Sequence, residues 1–357
     1  EKAMKDTGLS DFGDPYYREG LEVLLKDFNN NKNVNFLGRI NLQVVLLRQL
    51  CNRLLFTEYK KNHPEVFEKP LLDPLIITGI PRSGTTFLHR LINEDAQWRS
   101  LMMYEVHNPI SPEPSKKDKR LSQCENELKL VSWMIPELDS KHVLRADMPE
   151  ECMWLMGITF HSIEYILEFP LTDYLDWYSQ QDRSKAYHEY AQLLQIAQAQ
   201  TPEKPLLLKA PAHRGSLDYL YAAIPNLRLL VTERNEMECL SSFCSLVKSA
   251  LRNTVKTPDE PGISKNVQKL FANEGEKQRG FLDKHPELYC KVQYEQIKSD
   301  PLTVVGEVYN HFNIRLTRKA EVEMQSYALT NPQHKYGVHH YPLEDFGVGK
   351  DYVNTQS

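Results

Sequence analysis

The chain has 357 residues, 41% of them hydrophobic and 25% charged, an ordinary balance for a folded protein and enough length for one large α/β domain or two small ones. A formal net charge of −5 weighs against general nucleic-acid binding, so any anionic ligand must be held by locally placed cations. Cys51, Cys124, Cys152, Cys239, Cys244 and Cys290 show neither a CxxC pair nor dense spacing, which predicts reduced, mostly buried thiols in a cytoplasmic protein.

Residues up to about Pro70 read as helical. The longest helical candidate, Leu42 to Phe56, is interrupted by Arg48 and Arg53, which makes it an amphipathic core helix and not a membrane span. At LIITGIPRSGTTFLHRL, from Leu75 to Leu91, an apolar run rich in β-branched residues stops at Gly79 and passes through Pro81, Arg82, Ser83, Gly84, Thr85 and Thr86. Helical spacing then resumes at Leu88, Leu91 and Ile92. The pattern predicts a strand, a tight loop and a helix start, where unpaired N–H groups and the helix dipole favour a phosphate. Gly79 and Gly84 have the separation of a nucleoside-triphosphatase P-loop, but Thr85 stands where such a loop has its lysine, and the cation lies inside the loop at Arg82.

Asn108 to Lys119 is rich in Pro, Ser and charge and reads as a surface loop. From Leu121 to Gln200 helical patterns dominate, with aromatics and methionines gathered between Met148 and Tyr178, a natural source of a ligand pocket. Leu206 to Leu208, ending in Lys209, and Arg228 to Thr232, ending in Glu233 and Arg234, predict two more strands. A helix is expected from about Asn235 or Glu236, carrying Ser242. Thr254 to Lys265 reads as a polar loop suited to a lid. Leu288 to Gln293 predicts a fourth strand running into Tyr294 and Glu295, after which Asp300 caps a helix that opens at Pro301. Strands alternating with helices argue for βαβ units and a parallel sheet. Ligands bind outside the carboxyl ends of such strands, so Arg82, Lys209 and Arg234 are expected to converge.

The segment Pro81 to Thr86 resembles the 5′-phosphosulfate loop of the sulfotransferases that use 3′-phosphoadenosine 5′-phosphosulfate (PAPS). Arg234 with Ser242 eight residues on resembles that family's site for the cofactor's 3′-phosphate, and Tyr294 stands where the family has a tyrosine near the adenine. Lys335, Tyr336, Gly337, Val338, His339, His340 and Tyr341, followed by Leu343, Glu344, Asp345, Phe346 and Gly347, resemble the C-terminal signature of a mainly bacterial branch, with Tyr336 where a histidine is usual. There Lys335 and His339 would belong to a loop closing over the 3′-phosphate. The likeness runs from about Gly8 to about Val353.

The resemblance implies an α/β fold, a P-loop-like three-layer sandwich with a central mostly parallel sheet and a largely helical insertion. It divides a single domain into a helical extension (1–70), the phosphosulfate βα unit (71–110), the acceptor insertion (111–205) and the remaining sheet with the closing segment (206–357). It further implies transfer of a sulfuryl group from PAPS to a hydroxyl or amine of a small-molecule acceptor, a metabolite or natural product, leaving adenosine 3′,5′-bisphosphate (PAP). No metal, nucleic acid or membrane partner is implied, and nothing in the sequence sets an oligomeric state. Arg82 and Lys209 are the electrostatic candidates. His213 is the first choice of base, because an imidazole titrates near neutrality. Glu150 and Glu151 compete with it, and His161 is a further option. A P-loop kinase for a small metabolite and a non-catalytic PAP-binding module are the alternatives; the kinase is disfavoured because no lysine follows Gly84.

Overall fold

Five strands, β1 (Leu75–Gly79), β2 (Arg99–Ser100), β3 (Leu206–Lys209), β4 (Arg228–Glu233) and β5 (Tyr289–Gln293), pair in the order β2-β3-β1-β4-β5. This is a computed structural model, and it describes residues 1–111, 118–134 and 145–331, the side chains of 130–134 apart. All four pairings are parallel.

The strands are buried on both faces, as parallel sheets require, and their side chains alternate between two apolar cores. Ile76, Leu206, Leu208, Leu229 and Val231 enter the larger core, packed by helices Tyr17–Asn30, Phe36–Asn62, Ser184–Ala199, Glu236–Leu251 and Glu260–Lys284. Leu75, Ile77, Leu207, Leu230 and Val292 enter the smaller core, against helices Thr85–Ile92, Pro301–His311 and Arg318–Thr330. Helices on both faces of a parallel sheet make the three-layer α/β sandwich expected from the sequence. The strand order turns back at β1, so the carboxyl end of that central strand opens a crevice between its neighbours.

The predicted strands and the helix after Arg234 are observed with boundaries shifted by a residue or so. The Leu42 to Phe56 helix is longer, Phe36–Asn62, because Asn35 caps it by accepting from the Gly38 amide and Pro64 follows its end. The two-residue edge strand β2 is too short to leave a period in the sequence. The expected lid at Thr254 to Lys265 is corrected. Asp259 accepts from the Gly262 amide, Pro261 occupies the first turn, and a helix runs over Glu260–Lys284, leaving only a short turn before it. Most of the aromatics and methionines between Met148 and Tyr178, among them Met153, Met156, Phe160, Tyr165 and Tyr174, fill the larger core. No helix among the described residues is long and apolar enough to cross a membrane.

Candidate active site

The site begins with a close approach of two strands. Gly79, at φ +127°, lies so near β4 that a Cβ there would sit 2.2 Å from the Thr232 carbonyl oxygen. The chain then turns through Arg82 (φ +72°) and Gly84 (φ +89°) into helix Thr85–Ile92, whose N-terminus no side chain caps. The amides of its first turn have no intrahelical acceptor and project from the N-terminal end of the helix. The Ser83 hydroxyl is committed inward: it is fully buried, donates to the Ile80 carbonyl at 2.5 Å and meets the Thr232 hydroxyl at 2.5 Å. Ser83 therefore holds the loop's shape and leaves ligand contact to its amide.

Two arginines and a tyrosine close one side. Arg82 Nε donates to Ser242 Oγ at 3.1 Å, and Arg234 Nη1 donates to the Arg82 carbonyl at 3.0 Å. The Arg234 guanidinium lies 4.1 Å from the centre of the Tyr294 ring and pairs with Glu238 through Nε at 3.1 Å and Nη2 at 2.8 Å. The same tyrosine ring would be 3.3 Å from a Cβ on Gly84, so it lies over the start of helix Thr85–Ile92. Asn235 accepts from the amides of Met237 and Glu238 and thereby fixes where the helix carrying Ser242 begins.

Lys209 and Glu151 form the other side. Lys209 ends β3 with a side chain only 1% exposed; its Nζ lies 2.7 Å from Glu151 Oε1 and 3.4 Å from Thr86 Oγ1. Glu151 arrives there because residues beyond β2 pair antiparallel with 148–150. Met103 N donates to the Met148 carbonyl and Glu150 N to the Leu101 carbonyl, each at 3.0 Å, around a bridge between Met102 and Pro149. The two neighbouring glutamates differ. Glu150 is buried and accepts from the Glu151 amide at 2.8 Å, whereas the Glu151 side chain is 21% exposed beside Lys209.

His213 lies in the turn Pro211–Ser216 and points inward. It is fully buried, with Nδ1 2.9 Å from the Tyr187 hydroxyl and Nε2 3.2 Å from the Tyr190 hydroxyl. Burial pushes its pKa down to about 3. His161 is a core residue too, its Nδ1 donating to the Thr159 carbonyl at 3.0 Å and its ring between Tyr16 and Trp177. The fold thus gathers Pro81 to Thr86, Lys209, Glu151, Arg234, Ser242 and Tyr294 at the carboxyl edge of the sheet and turns His213 and His161 into the interior. Lys335 and His339 lie outside the described residues. Sequence reasoning missed the Glu151–Lys209 pair and the Glu238 partner of Arg234. Only the second had a readable signal, the i,i+4 spacing of opposite charges. Among the described residues no group of His, Cys, Asp or Glu could hold a metal ion.

Residues 74–318 match the sequence model of the Sulfotransferase family. The fold is similar to that of sulfotransferase STF1 from Mycobacterium tuberculosis H37Rv, with 27% identity and a TM-score of 0.85 over 99% of this chain and 95% of that one. It is also similar to sulfotransferase STF9 from Mycobacterium avium, with 24% identity and a TM-score of 0.89 over 99% and 92% of the two chains. No curated protein matches the sequence.

Proposed function

The chain belongs to the sulfotransferase family and is a sulfuryl-transfer enzyme, and from that premise we propose that its donor is PAPS and its acceptor the hydroxyl of a small metabolite or natural product. The observation that carries the donor assignment is the Arg82–Ser242 bond, with Arg234 on the Arg82 carbonyl. It ties a cation inside the first phosphate loop to a second cation and a hydroxyl on the neighbouring strand and helix. Two anion sites side by side suit a nucleotide with phosphates at both ends of its ribose.

In this reading the first-turn amides of helix Thr85–Ile92 hold the 5′-phosphate, and Arg234 and Ser242 hold the 3′-phosphate with guanidinium and hydroxyl donors. Tyr294 offers its ring to the adenosine. The acceptor oxygen attacks sulfur and forms the new S–O bond while the sulfur–oxygen bond to the 5′-phosphate breaks, its electron pair passing to the leaving phosphate. Arg82 stabilises that developing charge, and Lys209, within reach of Thr86, faces the equatorial oxygens of the moving group.

We assign the acceptor's proton to the Glu151 carboxylate. Glu151 is partly exposed at the crevice beside Lys209, whereas Glu150 is turned onto a backbone amide and His213 is enclosed by tyrosines. A hydroxyl acceptor fits better than an amine, because an ammonium would face Arg82 and Lys209, both positive, before it reached Glu151.

Calorimetry tests the donor assignment. Arg234→Ala is expected to weaken PAP binding by about 2 kcal/mol, roughly thirtyfold, while leaving adenosine 5′-monophosphate nearly unaffected. Equal loss for both nucleotides, or tighter binding of magnesium ATP than of PAP by the unaltered enzyme, would overturn it.

A further inference from the structure

We infer that His213 is a positioning residue for the Glu151–Lys209 pair, acting through Cys152 and the Lys209 carbonyl; the inference rests on the assignment of Glu151 as base. Cys152 Sγ lies 3.5 Å from His213 Nε2 and donates to the Lys209 carbonyl at 3.5 Å. One cysteine therefore contacts the backbone of the lysine while its own backbone carries Glu151. Behind it, Tyr187 and Tyr190 project from one face of helix Ser184–Ala199, three residues apart, onto the two nitrogens of the imidazole.

Both ring nitrogens are occupied in either neutral tautomer. The Cys152 S–H is used on a carbonyl, which can only accept. Whichever ring nitrogen carries the proton donates to one tyrosine hydroxyl, and the other tyrosine donates to the remaining nitrogen. That network leaves His213 neutral and without a lone pair for an acceptor's proton. Cys152, Tyr187, Tyr190 and His213 are each 0–1% exposed, so apolar residues would fill this space without the risk of an unsatisfied buried polar group. What the polar network adds is a fixed distance between a helix of the insertion and the strand end that bears Lys209. A shift of about 1 Å in such a pair is enough to cost on the order of a hundredfold in rate.

The test follows the His213 ring nitrogens by long-range 1H–15N NMR in the whole chain from about pH 5 to 8, alone and with PAP bound, a range in which a free imidazole titrates. One neutral tautomer throughout is expected; protonation in that range overturns the inference. Beside it, transfer from PAPS to 4-methylumbelliferone is measured, with PAPS hydrolysis by water as the acceptor-free control. In His213→Gln and Tyr187→Phe turnover is expected to fall about tenfold or more, with PAP affinity within about twofold and the acidic limb of the pH–rate profile retained. Should His213→Gln fail to fold, Tyr187→Phe and Cys152→Ala carry the same expectation. Full turnover in these variants overturns the positioning role, and so does loss of the acidic limb in His213→Gln alone. Near-normal turnover in Glu151→Gln would instead remove the base assignment, a separate result.

Discussion

Arg82 holds a left-handed backbone, φ +72°, which costs a residue with a Cβ about 1–2 kcal/mol. Part of that cost is offset where Arg234 donates to the Arg82 carbonyl, so the strained residue is braced by the second cation of the site. Strain held at this position points the guanidinium toward Ser242, beside the helix N-terminus. Arg82→Ala keeps the backbone geometry and removes the charge. Its effect is expected mainly in turnover, which should fall by about a hundredfold or more, with PAP affinity changed several-fold at most, because the charge matters most as the leaving phosphate develops. Equal losses in affinity and rate would contradict that role. The motif residues were readable because each has a chemical reason to occupy its own place in the chain. Glu151 stood among the candidate bases, but its pairing with Lys209 was not readable, because nothing local says that residues beyond a two-residue edge strand will pair with 148–150 and carry it there.

At the scale of elements, helix Glu260–Lys284 shows how composition misleads. Thr254 to Lys265, rich in Pro and Asp, reads as a loop, yet Asp259 and Pro261 stand where a helix start uses them. Four of the five strands, by contrast, were legible because a buried parallel strand must be a short apolar run ended by turn chemistry. The same helix carries Glu274, packed against Gly215 of the turn that holds His213. Burial raises its pKa to about 7, opposed by Arg183, Arg214 and Lys277. Below pH 4.5, the ordinary value for the unfolded chain, the group is protonated in both states and costs nothing. As pH rises toward 7 the unfolded chain releases the proton while the fold retains it, and stability falls. Glu274→Gln should remove this loss. Relative to the unaltered protein, the variant gains up to about 3 kcal/mol between pH 4.5 and 8. Parallel denaturation curves across that range would show that Glu274 is not the group responsible.

For the whole molecule, the larger core runs without a break from Tyr17 through the insertion to Leu282, so the N-terminal helices share their interior with the sheet. Arg53 fastens them. It is 1% exposed, grips Glu189 with two nitrogens at 2.9 and 3.2 Å, donates to the carbonyls of Asp14 and Ile158, and lies 4.3 Å from the Tyr17 ring centre. We propose that residues 1–70 unfold with the rest and not as a separate unit. Arg53→Ala strips the buried Glu189 carboxylate of its cation, leaving it the Tyr16 hydroxyl as a donor, and should destabilise the entire chain by about 3–5 kcal/mol. Tryptophan fluorescence and far-ultraviolet circular dichroism are expected to report one coincident transition at lower denaturant. Two separated transitions would show that the extension is independent.

The pairing of Arg234 with Glu238 gives the pocket a doorkeeper. Before any nucleotide arrives, a carboxylate of the protein already stands in the arginine's fork. A newcomer must outbid a rival tethered four residues away, which a lone inorganic anion does poorly and a nucleotide gripped along its whole length does well. The enzyme should therefore ignore millimolar phosphate and sulfate. Glu238→Gln should lose that indifference, with phosphate inhibiting turnover at about tenfold lower concentration; unchanged inhibition would show that Glu238 guards nothing.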